Sequence, residues 1–291
     1  MANGDRVPLC GNGSVMESCN TSDDSIGRRS RFRRSPVGKH IFFGRRDLEI
    51  LRCLHSYRYL RQDHLLALLP PKSKKRFVER LGDLFHETGY INRPGIQHRH
   101  FDAHSSPILY ELSQAGLGYL QMMDAVPHRA VNFSRRVRGV YNPQFLHTMM
   151  IIDTLVSVDV ATRMETGQRF VPFEEILTKA PAETRNAANP LSVSLTLLPR
   201  KGCPQIRGRM DTHLIPDALY GIEYLVDGEK KYRFFALECE RTSPASRSAA
   251  NASSLALKRA AYDTLLETKR YKQHWGIPNL KLDLVVARPS I

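Results

Sequence analysis

The stretch IPDALYGIEYLVDGEKKYRFFALECER, residues 215–241, constrains the fold more than any other part of the chain. Two strand-like runs flank Asp227-Gly228, a pair that favours a two-residue type I′ hairpin turn. With that turn, Val226 faces Glu229. Counting back along both strands puts Asp217 opposite Glu238, and Glu240 follows two residues on along the same face. The other face pairs Tyr220 with Phe235 and Ala218 with Leu237, a core-forming set. A four-residue loop would pair Asp217 with Glu240 and keep the acids together. A three-residue loop or an odd bulge would separate them.

The expected register therefore brings Asp217, Glu238 and Glu240 together, with opposed Cβ atoms about 5 Å apart. The run FFALECE is apolar up to Glu238, so these acids are expected to be at least partly buried. Like charges at that spacing need a cation or a proton between them. Mg²⁺ takes carboxylate oxygens and could activate water for phosphodiester hydrolysis. The competing reading is a structural network, with one acid protonated or neutralised by Arg233, Arg241 or Lys269.

Charge points to a polyanion. The chain has 43 Lys/Arg against 29 Asp/Glu, a formal net charge of +14, and most of the excess precedes residue 144. Double-stranded DNA is the expected partner. The sequence reads as lacking a long apolar run, which argues against a membrane partner. The five cysteines are odd in number and none forms a C-x-x-C pair, so neither a zinc knuckle nor a disulfide scaffold is expected. The start MANGDRVPLC lacks an apolar signal region, which makes the cytoplasm the expected compartment.

Residues 1–39 lack periodic apolar positions and read as a disordered basic tail. Arg31, Arg33 and Arg34 belong to an acid-free run that could lie along phosphates. Over 40–124, three helical segments precede two short strand-like runs and a further helix. The third, KSKKRFVERLGDLFHETG, has Ser73 as an N-cap. Its basic residues Lys72, Lys74, Lys75, Arg76 and Arg80 mark it as a DNA-contacting helix. A merely solvated charged face is the competing reading. Three helices and a ribbon is the order of a winged helix-turn-helix, whose third helix enters the major groove. Residues 125–143 read as a basic linker.

A second domain is expected over 144–291. It opens with a core helix carrying Phe145, Met149, Ile152, Val156 and Val160 on one stripe. A strand, an insert over 178–212 that is irregular except for LSVSLTL, which alternates with period two like an extra strand, the hairpin, a long helix ending near Gly276 and a final strand follow. The fold class is α+β: an N-terminal winged helix-turn-helix, then an α/β restriction-endonuclease-like domain. His98, His100 and His104, with His86 nearby, could form a zinc site or simply a loop rich in titrating histidines. His147 reads as a packed or hydrogen-bonded histidine in preference to a general base, and Glu165 and Glu175 as weak candidates for a further acid.

The fold order and the PD…ExE pattern resemble the PD-(D/E)xK nuclease superfamily. Asp217 matches its Asp and Glu238 its first third-strand acid, while Glu240 stands where Lys is usual. The resemblance implies Mg²⁺ at Asp217, Glu238 and Glu240. It also implies a lysine from the following helix: Lys258, Lys272 or, as the preferred one, Lys269. Over residues 45–287 the chain also resembles the replication-relaxation family, through ILRCLHSYRYLRQDHLLALL, RFVERLGDLFHETGYI, LIPDALY, FFALECER and KRYKQHW. That resemblance implies an accessory DNA-binding protein of plasmid or mobile-element replication and mobilisation, working beside a relaxase at a DNA origin. The alternative is a Mg²⁺-dependent DNA endonuclease.

Overall fold

Helices form where apolar residues recur at helical spacing, and they stop where proline or a left-handed residue stops them. The computed structural model describes residues 29–101, 106–124, 144–200, 203–204, 206–240 and 255–286. The proposed linker 125–143, the first 28 residues of the proposed tail, His104 and Arg241 lie outside them. The N-terminal part runs α1 (Arg45–Tyr57), β1 (Tyr59–Arg61), α2 (Gln62–Leu68), α3 (Lys74–His86), β2 (Ile91–Asn92), α4 (Gln97–His100), β3 (Leu109–Leu112) and α5 (Gln114–Met122). Arg58 takes a positive φ of 68° and turns the chain from α1 into β1. The Ser73 hydroxyl accepts from the Arg76 amide at 3.4 Å, which caps α3 as its sequence implies.

The three strands form an antiparallel sheet in the order β1-β3-β2, with Tyr59 beside Glu111 and Ile91 beside Leu112. β1 has only three residues, too few to show a period of two, and the sequence pattern does not reveal it. Gly116 lets α5 press onto this sheet: a Cβ there would lie 2.2 Å from the Tyr90 carbonyl.

Residues 29–39 form no helix or strand, but they are not a free tail. They lie against α3 and β2, and Arg29 and Lys39 form ion pairs with α3.

The second part runs α6 (Phe145–Met164), β4 (Gln168–Val171), α7 (Phe173–Lys179), α8 (Ala182–Asn186), β5 (Val193–Leu197), β6 (Met210–Leu214), β7 (Ala218–Val226), β8 (Glu229–Glu240), α9 (Leu255–Glu267), α10 (Arg270–Trp275) and β9 (Lys281–Val286). β4, β7, β8 and β9 make one sheet in that order; β8 and β9 are parallel, joined through α9 and α10. β5 is the extra strand that LSVSLTL implies, and it pairs separately with β6. The helix expected to run unbroken to Gly276 breaks at Lys269, which has a φ of 52°. Gly276, with a φ of 71°, ends α10 as expected.

α6 joins the two parts. Phe145, Met149, Ile152 and Val156 enter the core built by α1, α2, α3 and the first sheet. Its other side, with Met150, Ile151, Leu155 and Val158, covers the face of the second sheet that carries Tyr220, Leu237 and Cys239. The stripe read as the core of a second domain therefore packs into the first. Polar ties reinforce this junction. The Tyr57 hydroxyl donates to Asp159 (2.6 Å), and Arg163 grips Asp159 through two nitrogens (2.6 and 2.9 Å) while donating to the Leu68 carbonyl (3.0 Å). Contrary to the reading that no long apolar run exists, α6 is long and apolar enough to cross a bilayer by length and composition. Apolar residues on two of its sides nevertheless pack against protein.

Phe145 is fully buried at this junction. Phe145→Ala is expected to cost about 3–5 kcal/mol. Because α6 serves both parts, calorimetry should show one shifted unfolding transition, not an early melt of one part alone.

Candidate functional site

The β7–β8 register is the expected one from the turn to Ala218. Val226 faces Glu229 and Ala218 faces Leu237, and Asp227 and Gly228 both have positive φ (54° and 79°), as a type I′ turn requires. The ladder departs from it one residue later. The Asp217 amide donates to the Leu237 carbonyl (3.1 Å), which belongs to the partner of Ala218, and its carboxylate accepts from the Cys239 amide (2.8 Å). The side chain thus takes the place of a backbone acceptor at the end of the ladder. This slip lets Asp217 meet α6, where its other oxygen lies 3.2 Å from His147 Nε2.

Glu238 is buried on the face that carries α9. It accepts from the Tyr262 hydroxyl on one oxygen and pairs with the Lys258 ammonium on the other. Glu240, two residues on, is also buried and sits beside Val286 of β9. The two better-defined acids have opposite tendencies. Burial raises the Glu238 carboxyl above its usual range, and Lys258 and Tyr262 only partly offset it. Burial would also raise Asp217, but the bond from His147, the Cys239 amide and nearby Lys258 outweigh it and lower the group. An ionised Asp217 beside a harder-to-ionise Glu238 follows from those surroundings. An apolar cavity of about 200 Å³ opens beside Asp217, lined by Tyr57, Phe170, Phe173, Leu219 and Tyr220 among others.

Among the described residues, no three His, Cys, Asp or Glu side chains are grouped to hold a metal ion. Each oxygen of Asp217 and Glu238 meets one protein donor, and a carboxylate oxygen can accept a second partner. Lys269, the preferred lysine, is exposed at the break between α9 and α10. It lies eleven residues beyond Lys258, about 16 Å along a helix. The structure brings Lys258 to the acids instead. His147 has a polar partner, as a hydrogen-bonded histidine on a core helix implies; its place on an apolar helix gives no sign that the partner is Asp217.

The basic residues divide sharply. Lys72, Lys74, Lys75 and Arg76 are exposed at the start of α3, with no ion-pair partner among the described residues. Arg80 faces α1 instead, binding both oxygens of Asp47 (2.7 and 2.6 Å) and the Phe42 carbonyl (2.6 Å). Arg31 donates to the Ser106 carbonyl, and Arg34 to the carbonyls of Phe85 and Ile91. Arg33 is exposed. His86 is buried and its Nδ1 accepts from the Ser35 amide (3.1 Å). Burial, with Arg93 and Arg29 nearby, lowers it to about 4, so it serves as a neutral acceptor. His98 packs its ring on Phe32. Glu175 is held by Arg169 at 2.7 and 2.9 Å, and Glu165 is exposed at the end of α6.

Comparison with known families decides the relationship. The replication-relaxation profile matches residues 51–280, which span both parts and the junction helix. The chain belongs to the replication-relaxation family. Neither the curated proteins nor the solved structures yield a match. Membership supports a role in replication or mobilisation. For this member of the family, the Lys258–Glu238 pair is the testable feature of the acidic cluster. Lys258→Met leaves Glu238 buried without its cation and should cost about 1–3 kcal/mol. The sign follows from linkage: Glu238, already raised, rises further, so the penalty is full at neutral pH and fades once the acid is protonated. Paired melting curves at about pH 7 and about pH 4.5 should show the larger deficit at the higher pH.

Proposed function

We propose that this protein binds double-stranded DNA as an accessory factor in plasmid or mobile-element replication and mobilisation. On this reading its N-terminal part is a winged helix whose α3 approaches the DNA, and it acts beside a relaxase at an origin. The observation that carries the proposal is where the unpaired cations sit. Lys74, Lys75 and Arg76 occupy the first turn of α3, with Lys72 just before it. A helix start carries partial positive charge, so cations there lower stability. Unpaired cations at a costly position are best explained by an anionic ligand, and a phosphate backbone is also what a helix start attracts. The net charge of +14 and the family membership support the same reading.

Fluorescence anisotropy titrations on duplex DNA across a salt series test it. Wild-type protein should show log K falling linearly with log salt. Replacing Lys74, Lys75 and Arg76 with Ala should reduce that slope by about 0.9 for each phosphate no longer neutralised. A flat wild-type plot, or a slope unchanged by the substitutions, sinks the proposal.

The second reading is an endonuclease, in the nuclease-like fold that the order α6-β4-β7-β8-α9-β9 supports. What favours it is Lys258, which completes an Asp217, Glu238 and lysine set from three different elements. Mg²⁺, if held by Asp217 and Glu238, would supply water activation. Supercoiled DNA incubated with protein and Mg²⁺, beside an Asp217→Asn control, separates the readings. Nicking by wild type alone supports the enzyme; no nicking, or equal nicking by both, leaves DNA binding as the function.

A further inference from the structure

The basic segment before α1 invites a phosphate-binding role, but the side chains of Arg29, Arg31, Arg34 and Lys39 have other occupations. Asp83 and Glu87 lie at the C-terminal end of α3, with side chains only 7% and 4% exposed. Buried carboxylates require partners, and here the partners come from residues 29–39. Arg29 bridges the two acids, at 3.1 Å to Asp83 and 2.7 Å to Glu87. Lys39 reaches the second oxygen of Asp83 at 2.5 Å. The Val37 and Lys39 amides donate to Glu87 (3.1 and 3.3 Å), and the Ser35 amide to His86.

Arg34 binds the loop that leads out of α3. It donates to the carbonyls of Phe85 (3.0 Å), Gly89 (3.4 Å) and Ile91 (3.1 Å) and to the Asn92 side chain (2.5 Å). Its guanidinium also lies over the Phe85 ring, which Arg93 covers as well. The Phe85 carbonyl belongs to the last turn of the helix, whose oxygens lack helical partners and whose dipole end is negative. Cations are stabilising there, which is the reverse of the situation at Lys74 and Lys75.

We propose that residues 29–39 are an intramolecular strap that neutralises Asp83 and Glu87 and fixes α3 against β2, positioning the helix for DNA instead of contacting phosphates themselves. The role in DNA binding rests on the function proposed above; the strap's role in stability does not. The strap also cancels two negative charges that would otherwise oppose a polyanion at this end of α3.

A double-mutant cycle on the full chain tests it. Arg29→Ala with Lys39→Ala should lower the melting temperature and weaken duplex DNA binding, with the log K against log salt slope unchanged. Adding Asp83→Asn and Glu87→Gln removes the unpaired buried charges and should restore most of both losses. Direct phosphate contact predicts the opposite pattern: a slope lower by about 0.9 per cation removed and no rescue. That pattern, or an unchanged melting temperature in the first variant, overturns the strap. Absence of DNA binding by wild type would overturn the proposed function alone, because the melting cycle would still report on the strap.

Discussion

The two-sided burial of α6 is the constraint on which the rest of the architecture depends. One side completes the N-terminal core through Phe145, Met149, Ile152 and Val156, and the other covers the second sheet. A helix with water on one whole side carries a single apolar stripe, whereas α6 carries apolar residues on two sides because each of those sides meets a different core. Asp159 shows the polar counterpart. It is buried at the junction and is held by Tyr57 from α1 and by Arg163 from its own helix. The same helix supplies His147 to Asp217, so the acidic cluster is anchored by the element that joins the two parts.

Helix electrostatics organise α3. Its C-terminal end holds two buried acids and the Phe85 carbonyl, and cations from residues 29–39 meet all three. Its N-terminal end holds cations that nothing described in the chain neutralises. The first arrangement is what stability favours, and the second is what stability disfavours. Departures from local consistency concentrate where function makes a demand, which is why the start of α3 carries the weight of the proposed function.

The acidic cluster is a closed network. Four elements contribute: His147 from α6, Asp217 at the entry to β7, Glu238 and the Cys239 amide from β8, and Lys258 and Tyr262 from α9. Each carboxylate has both a cationic or potentially cationic partner and a neutral donor. Such a network holds like charges together by giving every oxygen of Asp217 and Glu238 a donor, and it keeps their proton affinities different.

Much of this was legible beforehand. The Asp-Gly turn determined the hairpin register, because a two-residue I′ loop admits one pairing and the pleat then assigns every face. Ser73 and Gly276 marked helix ends through local chemistry, and apolar spacing located α1, α3 and α6. Other features depended on contacts between residues far apart in the chain. The slip at Asp217 follows from its carboxylate finding the Cys239 amide, and no periodicity announces it. The choice of Lys258 over Lys269 depends on where α9 starts and breaks relative to the sheet. Arg34 and Arg80 read as free cations until the carbonyls and carboxylates they meet are in place. A basic residue looks the same in sequence whether its partner is a phosphate or a buried acid. Local chemistry and periodicity therefore determined the elements and their register. The tertiary structure alone decided which charges were already spent inside the fold, because pairing is a property of space and not of spacing along the chain.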